Sequence, residues 1–278
     1  MKRRVLRLGI SPCPNDTFTF HGLLSGAVRA ETFDLEFELH DVESLNAAFA
    51  RGEFDASKAS FFAALPLARE ALVLRAGAAL GFGVGPLLLA RPGAPPLAEA
   101  RVLSPGERTT AHFLLRSFHP ELQRVEHTLF SAIMPRLAQG TADYGVCIHE
   151  GRFTYARHGL ELHEDLGTTW EDAVGAPLPL GGILARRSLG TATLHELDSA
   201  IRRSLDHARA HPLEALVTMR AHARELEDAV IEAHVALYVN EWTLDLGATG
   251  ARALAVFGER ARRAGLAPAD APALEILQ

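Results

Sequence analysis

The chain has 278 residues, of which 48% are hydrophobic and 22% charged, with a formal net charge of -6. That length exceeds one ordinary core and suits two domains, and the composition is typical of a soluble globular protein. The acidic balance, with arginines dispersed among acids, argues against a nucleic-acid partner, which would favour a basic face.

The start, Met1-Lys2-Arg3-Arg4, is basic. No apolar signal core follows it and no run of roughly 18 apolar residues occurs, so no membrane span is expected and the cytoplasm is the expected location. Residues 5–10 alternate as a first strand. Ser11-Pro12-Cys13-Pro14-Asn15-Asp16-Thr17 follows, a loop that two prolines stiffen. Phe18, Phe20, Leu23 and Leu24 then recur at helical spacing, with Asn15 or Asp16 as the N-cap. A rigid strand-to-helix turn with free hydroxyl and amide groups suits a small ligand, which makes Ser11 and Asn15 candidates; simple capping is the alternative. Residues 33–39 read as a second strand and 41–50 as a helix that Gly52 stops. A short strand over 54–57 ends in Lys58, Ala59 and Ser60, before an apolar helix over 61–68. Lys58 can hold a carboxylate as a point charge or simply be solvated.

The glycines between Gly77 and Gly85 do not match a dinucleotide fingerprint and read as a bend before a strand over 86–91. Pro92-Gly93-Ala94-Pro95-Pro96 reads as the crossover into a second domain. There, a strand over 101–104 leads through a turn to a helix over 111–118. Thr109 or Thr110 caps that helix, and its open N–H groups make a site for a carboxylate. A strand over 125–130, a helix over 133–139 stopped by Gly140, and a buried strand over 144–148 follow. His149 stands at the carboxyl end of that last strand, where open α/β sheets bind ligands. With an unperturbed pKa of about 6.5 it can act as a general base, or it can merely bond a loop backbone. Residues 150–155 could cover a pocket, 160–166 read as a strand, and Thr168 or Thr169 as a helix cap. Leu178-Pro179-Leu180-Gly181-Gly182 reads as the return crossover before a strand over 183–186. The remainder is helical and expected to pack on the first domain, with His207, His211, His222 and His234 at surfaces or interfaces. The domains are therefore expected at 1–91 with 183–278, and at 92–182.

Two cysteines, Cys13 and Cys147, exclude a disulfide framework and suit a reduced compartment as small buried residues. No HExxH, CxxC, G-x-S-x-G or Walker motif is present, so metal and cofactor are both expected to be absent.

The two-lobed order of strand–turn–helix units resembles the type-II periplasmic-binding-protein fold, an α/β architecture of mixed sheets flanked by helices with a ligand cleft between domains. The segment Leu8-Gly9-Ile10-Ser11-Pro12-Cys13-Pro14-Asn15-Asp16-Thr17-Phe18 resembles the opening signature of the 1,4-dihydroxy-6-naphthoate synthase family. The similarity continues through Asp41-Val42-Glu43-Ser44-Leu45-Asn46, Gly83-Val84-Gly85-Pro86-Leu87, Thr109-Thr110-Ala111, His149-Glu150-Gly151-Arg152-Phe153-Thr154-Tyr155 and Leu178-Pro179-Leu180-Gly181. The resemblance implies a cofactor-independent carbon–carbon lyase of menaquinone biosynthesis, on the futalosine route, converting cyclic dehypoxanthine futalosine to 1,4-dihydroxy-6-naphthoate. It implies His149 as proton acceptor, and Lys58, Ala59, Ser60, Thr109 and Thr110 as substrate-binding segments. For the mechanism that follows, Ser11, Asn15, Lys58 and Ser60 are expected to orient the sugar end or polarise the ketone. A non-catalytic solute-binding protein and the chorismate dehydratase of the same pathway share such a fold and stand as the alternatives.

Overall fold

A computed structural model describes residues 3–223 and 227–278; Met1 and Lys2 of the basic start lie outside the described residues. The first lobe opens with β1 (Arg4–Ile10), α1 (Pro14–Thr19), α2 (His21–Leu24), β2 (Phe33–Leu39), α3 (Val42–Ala50), β3 (Ala56–Ser60), α4 (Phe61–Ala64), β4 (Ala71–Val73) and β5 (Ala79–Gly81). The second lobe holds β6 (Leu87–Ala90), β7 (Val102–Ser104), α5 (Thr110–Phe118), β8 (Val125–His127), α6 (Phe130–Ala138), β9 (Tyr144–Cys147), α7 (Gly151–Thr154), β10 (Glu161–Asp165) and α8 (Leu166–Val174). The chain returns through β11 (Leu178–Arg186) and finishes with α9 (Thr191–Ala210), α10 (Pro212–His222), α11 (Asp228–Tyr238), α12 (Glu241–Leu244) and α13 (Gly247–Arg263).

The first sheet runs β2-β1-β3-β11-β4, with β5 also on β11. β1 is parallel to β2 and β3, whereas β11 is antiparallel to β3, β4 and β5. The second sheet runs β10-β6-β9-β7-β8, parallel between β7 and its two neighbours and antiparallel around β6. Helix and strand choices follow local sequence. Leu6, Leu8 and Ile10 give β1 its buried face, and Asp41 caps α3 by accepting from the Glu43 and Ser44 amides.

The domain boundaries expected at 1–91, 92–182 and 183–278 are corrected by this pairing. The strand expected to close the first domain is β6, and it lies inside the second sheet, flanked by β9 and β10. Three consecutive buried leucines, Leu87, Leu88 and Leu89, suit a strand covered on both faces. The crossover is the glycine segment before it, not the prolines after it. Gly83 there has φ 68, and a Cβ on Gly85 would lie 2.1 Å from the Gly167 Cα, so backbone meets backbone where the lobes join. The return is also earlier than expected, because Leu178 to Gly182 already belong to β11 of the first sheet.

Smaller departures have local causes. Cys13 occupies the N-cap of α1 because Pro14 takes the first helical position, which puts Asn15 and Asp16 inside the first turn. β3 extends through Lys58 to Ser60 and is buried along its length despite its polarity. The strand expected over 125–130 ends at His127. Asp165, not Thr168 or Thr169, caps α8. α13 does not pack on the first lobe alone. The Phe257 ring packs at a tilt 4.5 Å from that of Phe113 and 5.7 Å from that of Trp170, both in the second lobe. Phe62 of α4 reaches Phe113 at 5.3 Å. One apolar core therefore runs through both lobes.

Candidate active site

A cavity lies between the lobes, lined by residues of both. Ser11, Asn15, Lys58, Ala59, Ser60, Thr109, Thr110 and His149 all line it, brought together from the ends of β1, β3 and β9 and the start of α5. Asp16, His234, Tyr238, Leu180 and Gly181 line it as well.

His149 is the one non-glycine residue with positive φ among the described residues, at 59°. Histidine tolerates this left-handed region better than most side chains, and such outliers cluster at functional sites, at a cost of roughly 1–3 kcal/mol. Gly151, just beyond, permits the turn: a Cβ there would sit 2.2 Å from the Cys147 Sγ. The His149 ring is half-buried, with Phe130 edge-on at 4.8 Å and His234 roughly parallel at 6.3 Å. Its Nδ1 lies 3.3 Å from the Cys13 Sγ, and its Nε2 is buried without a partner. Burial pulls its pKa below the ordinary histidine value and Lys58 adds to this, while Glu150 and Asp16 oppose it. The imidazole is therefore neutral near pH 7. Burial raises the Cys13 thiol well above its usual range and pushes Cys147 up to about 12, which favours the protonated thiol over the nucleophilic thiolate at both.

Asp16 is the hub of the polar wall. Its Oδ1 accepts from Lys58 Nζ at 2.7 Å and Asn15 Nδ2 at 3.0 Å. Its Oδ2 accepts from the Ser11 hydroxyl at 2.7 Å and amide at 3.2 Å. Lys58 also donates to the Gly77 carbonyl at 3.1 Å. Its charge is thus already matched within the protein by Asp16. Asn15 Nδ2 faces a carboxylate, so Asn15 Oδ1 must accept, and the His234 Nε2–H donates to it at 3.0 Å. That assignment leaves His234 Nδ1 as a buried, unpartnered lone pair. Burial, with His149 and Lys58 nearby, holds His234 well below the ordinary pKa. Its expected place at a surface or interface is therefore corrected, because it is 1% exposed and lines the cavity wall.

Across the cavity, Asn46 fixes Ser60 from both sides, accepting from its amide at 2.9 Å and donating to its hydroxyl at 3.2 Å. The Ser60 hydroxyl proton remains for a ligand. Thr109 caps α5, accepting from the His112 amide and donating to Gly106 O at 2.8 Å. Thr110 donates to Leu180 O at 2.7 Å. Both hydroxyl protons are thus committed to the protein. What the turn offers an anion is the first-turn amides of Thr110 and Ala111, which have no intrahelical acceptor. Glu43 of α3 accepts from the Arg108 amide and lies 3.4 Å from its guanidinium, closing the rim between lobes.

Cys13, Asp16 and His234 escaped sequence reasoning as site residues. His234 and Tyr238 share one face of α11 at i, i+4 spacing, the one local signal that pointed to them.

The comparisons agree with this architecture. A profile of a family described as "Menaquinone biosynthesis" matches residues 6–263. The 1,4-dihydroxy-6-naphthoate synthase of Thermus thermophilus is 48% identical over 268 residues, covering 96% of this chain and 98% of that protein. The enzyme of the same name from Streptomyces coelicolor is 39% identical over 279 residues, with 98% of each chain covered. A crystal structure of an Archaeoglobus fulgidus protein superposes with a TM-score of 0.88 at 30% identity, covering 94% of this chain and 98% of that one. The alkanesulfonate-binding protein of Xanthomonas axonopodis pv. citri gives 0.72 at 15% identity over 96% of both chains, which places the fold among periplasmic-binding-protein-like architectures. Among the described residues no helix is long and apolar enough to cross a membrane. The chain belongs to the menaquinone-biosynthesis family, alongside the 1,4-dihydroxy-6-naphthoate synthases of Thermus and Streptomyces.

Proposed function

We propose that the protein is a cytoplasmic 1,4-dihydroxy-6-naphthoate synthase, a cofactor-independent carbon–carbon lyase acting on cyclic dehypoxanthine futalosine with His149 as general base. The observation that carries the reading is a neutral His149 on the cavity wall whose buried Nε2 has no protein hydrogen-bond partner. In the productive tautomer the Nδ1–H rests on the Cys13 Sγ, and the Nε2 lone pair takes an acidified C–H proton from the substrate ring system. The C–H electron pair forms a new ring π bond as the carbon–carbon bond to the sugar-derived fragment breaks, the imidazolium returns the proton to the departing fragment, and aromatisation to the naphthalene product drives the step. The substrate carboxylate sits on the Thr110 and Ala111 amides at the positive end of α5. Ser60 donates to the ketone or sugar end. Ser11, Asn15 and Lys58 act through Asp16 to hold the wall opposite. Lobe closure through the Glu43–Arg108 contact excludes water and fixes the reacting atoms. General-base help of this kind is worth about 10²–10⁴ in rate.

Incubation of the purified protein with cyclic dehypoxanthine futalosine tests the reading. Appearance of 1,4-dihydroxy-6-naphthoate supports it. Tight binding of that compound with no product would make the protein a binder and remove the lyase assignment.

A further inference from the structure

Outside the cavity lining, three donors converge from three separate elements. His21 of α2, His207 of α9 and Glu214 of α10 place their ligand atoms within 4.8 Å of one another. His21 is 2% exposed, and its Nε2 is buried without a hydrogen-bond partner. The His207 Nε2 is in the same state. A buried imidazole nitrogen with nothing to bond costs free energy comparable to a lost hydrogen bond, and here two occur side by side. The rings lie nearly parallel with centroids 5.5 Å apart.

We infer that His21, His207 and Glu214 form a binding site for a divalent transition ion of the zinc class, separate from the catalytic cavity. Two imidazoles and one carboxylate suit borderline ions over calcium or magnesium, which favour oxygen alone. Zinc bonds of about 2.0–2.1 Å draw the three side chains inward from their open spacing, and water completes the shell. The second shell is already in place. Thr218 Oγ1 lies 2.8 Å from the His21 Nδ1, so the Nδ1–H donates to the hydroxyl and the Nε2 lone pair faces the ion, as ligating histidines are generally held. A bound ion ties α2 to α9 and α10. Because α2 follows directly on α1, the ion braces the helix that carries Asn15 and Asp16 into the cavity. No short sequence spacing announces the site, since His21 and His207 meet only through the fold.

The test uses the untagged full chain, stripped with chelator and desalted, and titrated with zinc chloride against a chromophoric zinc indicator. Wild type is expected to take one equivalent. Thr218→Val is expected to weaken binding by about 10–100-fold, and His207→Gln by more. Glu214 is exposed, so Glu214→Gln gives a ligand deletion that leaves the core intact should His207→Gln fail to fold. His195→Gln, elsewhere on α9, is expected to leave the affinity unchanged. No zinc bound by wild type, or equal affinity in wild type and Glu214→Gln, overturns the site.

Discussion

Replacing Asp16 by alanine strands a buried ammonium. Lys58 and Asp16 meet at 2.7 Å with side-chain exposures of 9% and 2%. At an effective dielectric of about 20, that separation is worth roughly 6 kcal/mol of gross attraction. Desolvation of both groups offsets much of it, so the pair adds little beyond an apolar pair of equal volume. Breaking it from one side is different. Asp16→Ala leaves Lys58 with only the Gly77 carbonyl and deprives Ser11 and Asn15 of their acceptor. The expected loss is about 3–5 kcal/mol of folding stability, a large share of the total for a domain of ordinary stability. Lys58→Met strands the carboxylate in turn, but Ser11 and Asn15 still donate to it, so its cost falls at the lower end of that range. The double variant Asp16→Asn with Lys58→Met removes both charges and is expected to be more stable than Asp16→Ala. Urea unfolding of the four proteins, compared by midpoint and slope, reads these differences. If Asp16→Ala lies within about 1 kcal/mol of wild type, the pair behaves as an exposed one, and the polar wall is not the rigid hub described.

Cys13→Ala removes the atom that holds the His149 Nδ1; kcat is expected to fall about ten- to a hundredfold with KM little changed, in a steady-state assay. Because burial depresses the His149 pKa, the acid limb of kcat/KM is expected below pH 6.5, and Glu150→Gln, which deletes the largest opposing charge, should move it lower still. His112 is lowered to about 4, by burial first and then by His127 and Arg116. The folded state therefore binds fewer protons than the unfolded one between about pH 6.5 and 4. That contribution to stability is complete above pH 6.5 and is lost as pH falls, on the order of 1–2 kcal/mol by pH 5, measurable as a lower urea midpoint. Phe257→Ala empties the ring cluster shared by both lobes and is expected to cost about 3–5 kcal/mol, read in the same unfolding experiment.

Local chemistry made part of the design legible. Alternation marked β1 and β2, and the apolar run before His149 marked β9, because a strand's side-chain period is imposed by its own backbone. The polar turns after β1 and before α5 stood out by their prolines and capping residues, and both reach the cavity. The crossovers were misplaced because prolines and glycines both punctuate a chain. The pairing of β6 with β9 and β10, and of β11 with β5, shows which segments join the lobes. Ser57-Lys58-Ala59-Ser60 read as a strand end because it is polar, yet Asp16 and the Gly77 carbonyl satisfy Lys58 inside the sheet. Cys13 with His149, and Asn15 with His234, are pairings over 136 and 219 residues of chain. No periodicity carries information at that range.

The general-base assignment is tested most directly by the turnover number of His149→Asn with purified cyclic dehypoxanthine futalosine. Asparagine keeps a polar side chain of similar reach and tolerates the left-handed backbone at this position. The expected result is a fall in kcat of about 10²–10⁴, with substrate binding retained. Turnover close to wild type would contradict the role of His149 and with it the proposed elimination.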